Sequence, residues 1–207
     1  MTEPSIRQRL DASLAAFDRE RATTEALAAL DAGSATVPEL YRMLSDSLVR
    51  VGAAWQQGAA EVWQEHLMSG IVRTVVEACA PIVEARAPKA RGGTIVLAAP
   101  PDEYHDLGLR MVTDLFTLAG WRAYCLGGNV PVAQVSAAVA ELDADAVALS
   151  ASTHFHRLVL KGYVADLVEA HPGLRVWVGG PAFTHEHDGW DDAQVLDPGS
   201  IPRAGEA

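Results

Sequence analysis

Cysteine, basic clusters and long apolar runs are all scarce in this sequence, and each scarcity excludes something. The two cysteines, Cys79 and Cys125, lie in separate apolar segments without Cys-x-x-Cys spacing. They read as small buried hydrophobes, not as a disulfide framework or a metal site. Lys and Arg total 16 against 27 Asp and Glu, a formal charge of −11. The deficit is even: residues 1–88 carry 8 basic and 12 acidic side chains, and residues 89–207 carry 8 and 15. Phosphate backbones are held by clustered Lys and Arg, so direct nucleic-acid binding is not expected. No segment reads as the roughly 20 apolar residues that span a bilayer. The start, Met1-Thr2-Glu3-Pro4-Ser5, shows no basic region ahead of an apolar core. A cytoplasmic protein without membrane contact is the expectation.

What is present is a globular composition, 49% hydrophobic and 21% charged. Residues 1–88 read as helical. Ile6, Leu10, Leu14 and Phe17 recur at helical spacing, and Ala22, Ala26, Leu27 and Leu30 continue the pattern up to Gly33. Thr36 is placed to cap a third helix with Pro38 in its first turn. Leu40, Leu44, Leu48, Val51 and Trp55 form its stripe, and Gln56-Gln57-Gly58 ends it. A fourth helix is predicted from near Ala60 through Cys79, with Pro81 kinking it or ending its regular part. Four helices with short connections predict a compact antiparallel bundle. The linker is Arg86 to Gly93, broken by Pro88 and Gly92-Gly93, which divides the chain into domains 1–88 and 89–207.

From Thr94 the pattern alternates. Strands are predicted at 94–99, 122–126, 145–150, 174–178 and 194–196, and helices at 107–119, 131–142 and 156–170, with a short turn near 183–190. Near-continuous apolar strands predict a sheet covered on both faces, and β/α alternation predicts a parallel, doubly wound α/β sheet. The last ten residues read as a frayed tail.

Three features fall on successive strand ends: Glu103-Tyr104-His105-Asp106-Leu107-Gly108, Ser150-Ala151-Ser152-Thr153, and Gly179-Gly180-Pro181. Ligands of open α/β sheets sit at that rim, and small residues there admit a large ligand past the backbone. Each also has a plainer reading: His105 as a loop residue ahead of a helix, the serines as helix caps, the glycines as an ordinary turn.

The spacing goes further. There are 41 residues between Gly108 and Ser150, and 26 between Ser152 and Gly179. Together with Glu103-x-His105-x-x-Gly108 this resembles the cobalamin-binding domain family, whose signature is Asp-x-His-x-x-Gly, Ser-x-Leu and Gly-Gly at similar separations. The resemblance covers residues 94 to about 196 and implies a Rossmann-like (flavodoxin-like) fold. It implies that His105 is the lower axial ligand of cobalt, replacing the cofactor's own base. Ser150, Ser152 and Thr153 would lie along the nucleotide tail, and Gly179 and Gly180 would leave room for it. Neutral imidazole suits a transition metal. Its second N–H needs an acceptor, a role the family gives to the acidic residue two positions earlier. Here that residue is Glu103 in place of Asp, and Ser152 stands where the family has Leu. Tyr104 and Asp106 flank the histidine; Tyr104 is placed either to pack under the corrin or to face water.

In the first half, Trp55 and the Glu65-His66 pair are separated by nine residues across the Gly58 turn. A tryptophan on a stripe is ordinary core, and a Glu-His pair in a first turn is ordinary surface. Ahead of a cobalamin domain, however, Trp-x9-Glu-His resembles the sensory half of cobalamin-dependent photoreceptor regulators. That resemblance implies a cap domain with Trp55 over the upper corrin face, Glu65 on the adenosyl side, and His66 as candidate upper cobalt ligand after illumination. Those regulators begin with a DNA-binding helix-turn-helix, which is not recognised here, so output through a protein partner and a homo-oligomer are expected. Trp63 lies one turn before His66, where relatives carry a small residue; it is placed either as a second aromatic lid or as bundle core. Adenosylcobalamin is the expected cofactor, with methyl- and hydroxocobalamin as alternatives. Some relatives add a linear tetrapyrrole, which no residue here assigns. A corrinoid methyl carrier of a methyltransferase system shares the layout and is the competing function. His154 and His156 read as solvated helix-start residues, and His185-Glu186-His187-Asp188 as a polar loop.

Overall fold

A computed structural model of the chain describes residues 4–184 and 189–205. The polar loop His185 to Asp188 lies outside them. The chain divides into two compact units, Met1–Ala85 and Arg86–Ala207.

The first unit holds α1 (Ile6–Ala15), α2 (Arg19–Asp31), α3 (Val37–Gln56) and α4 (Val62–Arg86). The starts of α1, α2 and α3 follow from side chains that satisfy orphan N–H groups. Ser5 with Gln8, and Thr36 with Glu39, form capping boxes, and Asp18 accepts from the Arg21 N–H. The core is Leu10, Leu14, Leu30, Leu40, Leu44, Val72, Val75 and Cys79.

Three expectations need correction here. The fourth helix begins at Val62, not near Ala60, because the Ala59 and Ala60 N–H groups turn back onto the Ala54 carbonyl at 2.8 and 3.2 Å. It also continues through Pro81 to Arg86. A helical proline costs about 3 kcal/mol; Pro81 is exposed, and burial of Cys79 and Val83 on either side offsets that cost. Finally, α4 is long and apolar enough to cross a membrane by length and composition, with mean hydropathy 1.3 over its most apolar stretch. Ile71, Val72, Val75, Val76, Cys79 and Val83 on it are buried, as in the core helix of a bundle.

The second unit runs β1 (Gly93–Ala98), α5 (Leu107–Leu118), β2 (Trp121–Gly127), α6 (Val132–Glu141), β3 (Ala146–Ser150), α7 (His154–Ala170), β4 (Arg175–Gly179), a 3-10 turn (Pro181–Phe183) and β5 (Gln194–Val195). The five strands are parallel in the order β2-β1-β3-β4-β5. Side chains alternate along β1: Val96 and Ala98 join Val147, Leu149, Val176 and Val178 under α6 and α7, while Ile95 and Leu97 face α5. On the α5 side Phe116, Trp121 and Trp177 meet at 5.7 to 6.0 Å between ring centroids, and the Arg175 guanidinium lies over both indoles.

The end of the chain is not frayed as far as Ala204. The Trp121 indole N–H donates to the Pro202 carbonyl at 2.8 Å, and the Ala204 N–H donates to the Ala119 carbonyl. Ile201 and Ala204 pack on the α5-side core. An indole N–H buried at a sheet edge needs an acceptor, and the tail supplies it.

Candidate functional site

The strand order reverses between β1 and β3. From β1 the chain steps outward to β2, then crosses back to β3. The loops leaving β1 and β3 therefore part at their carboxyl ends, and that switch point is where ligands bind in this architecture. The first loop carries Glu103 to Asp106, and the second carries Ala151 to Thr153.

Glu103 is fully buried, yet His105 beside it has a side chain 77% exposed. One carboxylate oxygen of Glu103, Oε1, accepts from the His105 backbone N–H at 2.9 Å and from its ring Nδ1 at 2.7 Å. The other, Oε2, accepts from the Ser152 N–H at 2.7 Å and the Ser152 hydroxyl at 2.5 Å, and the His156 Nδ1 lies 3.0 Å from it. Burial pushes the Glu103 pKa up; the Ser152 hydroxyl, the His105 and Ser152 N–H groups and the His105 ring outweigh it and hold the carboxyl down at about 2. An ionised carboxylate only accepts. The Nδ1 of His105 therefore carries its proton toward Glu103, and the Nε2 lone pair is left on the exposed side. A ring fixed this way is a prepared ligand for a transition metal.

Neighbouring backbone locks the loop. Asn129 donates its N–H to the Glu103 carbonyl at 2.8 Å and accepts the Asp102 N–H on its side chain at 3.0 Å. Asp102 and Asn129 both take left-handed backbone (φ +64° and +56°), a conformation that short polar side chains tolerate. Gly128 is needed for this approach: a Cβ there would stand 2.5 Å from the Glu103 carbonyl oxygen. Of the paired glycines after β4, Gly180 is the constrained one. It has φ +99°, and a Cβ would meet the Ala151 carbonyl oxygen at 2.5 Å and the Ser150 hydroxyl at 2.8 Å. Gly179 pairs in register with Ser150 and has ordinary room. A Cβ at Gly108 would meet nothing within 4 Å, so the first turn of α5 is open beside His105.

Of the residues predicted for this site, Glu103, His105 and Ser152 are in direct contact. Tyr104 is 67% exposed. Asp106 occupies the start of α5. Thr153, not either serine, caps α7, accepting the His156 N–H at 3.2 Å. Three participants were not predicted: Gly128, Asn129 and His156. His156 was read as a solvated helix-start residue, but its side chain is only 12% exposed and lies against Glu103. The turn-forming Gly127-Gly128-Asn129 was the available signal for the first two; nothing local marks His156.

In the helical unit, the α3 stripe is buried at Leu40 and Leu44, half-buried at Leu48 and Val51, and emerges at Trp55, which is 47% exposed. Across the turn, Val62, Trp63 and Leu67 are also exposed. Trp63 is not core; it is 56% exposed, with its ring tilted against Phe17 at 5.6 Å. Glu65 accepts the His66 Nδ1 at 2.5 Å and the Ser69 hydroxyl at 2.6 Å, leaving a histidine that is 73% exposed. This repeats the Glu103–His105 arrangement: a carboxylate on Nδ1 and an outward Nε2.

A parallel sheet of this order places one carboxylate-fixed histidine at the switch point where ligands of this architecture bind. The B12 binding domain family matches residues 93–200, and a second B12 binding domain model matches residues 6–80. The chain belongs to the cobalamin-binding domain family, and cobalamin is the cofactor this membership supports. The HTH-type transcriptional repressor CarH of Myxococcus xanthus is 34% identical over 180 residues, which are 85% of this chain and 58% of that protein. The chain thus spans little more than half the length of that relative. Trimethylamine corrinoid protein 2 of Methanosarcina mazei is 27% identical over 87% of this chain and 83% of its own. Among solved structures, the Methanosarcina barkeri monomethylamine corrinoid protein superposes with a TM-score of 0.78 at 20% identity, covering 94% of this chain and 93% of that one, a likeness of fold.

Proposed function

We propose that this chain is a cobalamin-binding light sensor that passes its signal to a partner protein. His105 would hold the cobalt, with Glu103 accepting from its Nδ1. The helical unit supplies the upper-face groups: Trp55 as cover, Glu65 as the side contact, and His66 as the ligand taken up after illumination. Adenosylcobalamin held there would supply a light-sensitive cobalt–carbon bond. The chain's residues contribute selection of the lower base, cover for the upper face, and a packing state that changes when that cover loses its support. A homo-oligomer that rearranges on illumination is the proposed output. The observation that carries the reading is that each unit, taken by itself, presents one exposed histidine held by a carboxylate. The Trp-x9-Glu-His spacing and the similarity to a transcriptional repressor favour sensing.

The coverage of trimethylamine corrinoid proteins over most of their length favours a second reading, a methyl carrier for a methyltransferase system. Reconstitution in the dark with adenosylcobalamin, followed by green light, separates the two. A sensor is expected to change its absorption beyond the free cofactor and to shift in size on a column. A photolysis identical to free cofactor, together with methyl transfer to a thiol through a partner enzyme, overturns the sensor. In a His105→Ala variant the histidine-ligated spectrum is expected to vanish; its persistence removes His105 from the cobalt.

A further inference from the structure

A helix lying on a sheet ordinarily turns charged and polar residues outward. The helix α7 departs from this. Leu160, Tyr163, Val164 and Leu167 are buried in the core on the α6 and α7 side of the sheet. On the opposite side of the helix Phe155 is 64% exposed and Leu158 is 53% exposed. Gly162 and Ala165, both exposed, continue the same line. The four residues follow one another at intervals of three, four and three, the spacing of a helix that packs lengthwise on another helix. No charged residue interrupts the line before Glu169, and a Cβ at Gly162 would meet nothing within 4 Å.

We propose that this face of α7 docks on the same face of a second copy of the chain, with the two helices parallel about a two-fold axis. Charge selects both the occupant and its direction. Lys161 lies on one flank of the apolar line and Asp166 on the other, and both are exposed. In a parallel helix pair each flank meets the opposite flank of its partner, and residues five positions apart in this sense form the ion pairs that fix orientation. Each Lys161 therefore meets the Asp166 of the second copy, and symmetry repeats the contact. Antiparallel helices would bring like flank to like flank and lose both pairs. On α7 itself neither residue has an opposite charge three or four positions away, so the helix makes no use of these charges internally. The Lys161 ammonium stands over the Trp190 ring at 5.9 Å, which steadies it beside the line. Gly162 and Ala165 let the two backbones come close, Phe155 and Leu158 pack across the axis, and Glu169 ends the contact after three turns.

This dimer needs no cofactor and is separate from the rearrangement on illumination proposed above. It is tested on the full chain, free of cobalamin and in the dark, by sedimentation over a range of concentrations. Wild type is expected to pass from monomer to dimer, and Leu158→Glu is expected to stay monomeric. Lys161→Asp and Asp166→Lys each set like charges against each other and are expected to weaken association about tenfold or more. The double variant Lys161→Asp/Asp166→Lys restores opposite charges and is expected to regain the wild-type dimer, which a damaged fold would not do. Ala165→Cys is expected to cross-link to itself on mild oxidation, because a parallel pair sets each residue 165 beside the other, whereas antiparallel helices place it against Gly162. Wild type, with Cys79 buried and Cys125 half-buried, is the control for that reaction. A monomeric wild type overturns the proposal, as does a dimer indifferent to Leu158→Glu, a double variant that stays as weak as the single ones, or a dimer that Ala165→Cys leaves uncrosslinked. If Phe155→Ser weakens cobalamin binding and leaves the mass unchanged, the face serves the cofactor and the dimer is lost. Mass is read without cofactor, so failure here leaves the cobalamin reading standing, and failure of that reading leaves the dimer standing.

Discussion

At the residue scale, the site depends on a few places where a missing side chain lets two loops touch. Gly128 admits the Glu103 carbonyl, and Gly180 admits the Ala151 carbonyl and the Ser150 hydroxyl. Gly108 differs: among the described residues nothing lies within 4 Å of where a Cβ would stand. These differences predict opposite outcomes. Gly128→Ala forces backbone apart under Glu103 and is expected to cost about 1–3 kcal/mol of stability, read by urea unfolding. Its cobalamin complex is expected to lose histidine ligation. Gly108→Ala adds helix propensity at the start of α5, worth up to about 1 kcal/mol. It is expected to leave the apoprotein as stable or more so while weakening cobalamin binding in a spectral titration. Equal binding by Gly108→Ala and wild type would mean the cofactor does not use that space.

At the scale of elements, β2 is an edge strand whose first residue, Trp121, is completely buried. The indole is covered by Phe116, Trp177 and Arg175, and its N–H is satisfied by the tail at Pro202. Ending the chain after Gly199 orphans that N–H and uncovers the α5-side core. A lost buried hydrogen bond with an unsatisfied partner costs about 1–3 kcal/mol, so the truncated chain is expected to melt several degrees lower than wild type. An unchanged melting temperature would show that the tail contributes nothing to the sheet. The frayed tail expected from Pro198, Pro202 and Gly205 was a composition argument, and composition carries no information about an indole 81 residues away that needs an acceptor.

At the scale of the whole molecule, each unit presents one exposed histidine fixed by a carboxylate, and the proposed function requires the two to act in different states. His66→Ala is expected to leave the dark adenosylcobalamin spectrum unchanged and to alter the spectrum after illumination. An unaltered lit spectrum removes His66 from the response. Light-dependent change in oligomer size, measured on the same variant, tests whether uptake of that ligand drives rearrangement or merely follows it.

Much of this was legible in the sequence, because helix and strand periods are properties of near neighbours. Apolar runs and the 3.6-residue pattern located five strands and the helices between them, and His105, Ser152 and Gly180 fell directly after those runs. Thr36 marked the start of α3 for the same local reason. Only the tertiary structure decided which of these groups meet. Ser152 is 49 residues from Glu103, yet it donates twice to that carboxylate because β1 and β3 are adjacent in the sheet. His156 became a partner of Glu103 because the Thr153 cap starts α7 two residues earlier than its apolar pattern does. The types of residue at the site follow from the order of amino acids. Their hydrogen-bond partners follow from which strands lie side by side, and that is set by packing of the whole sheet.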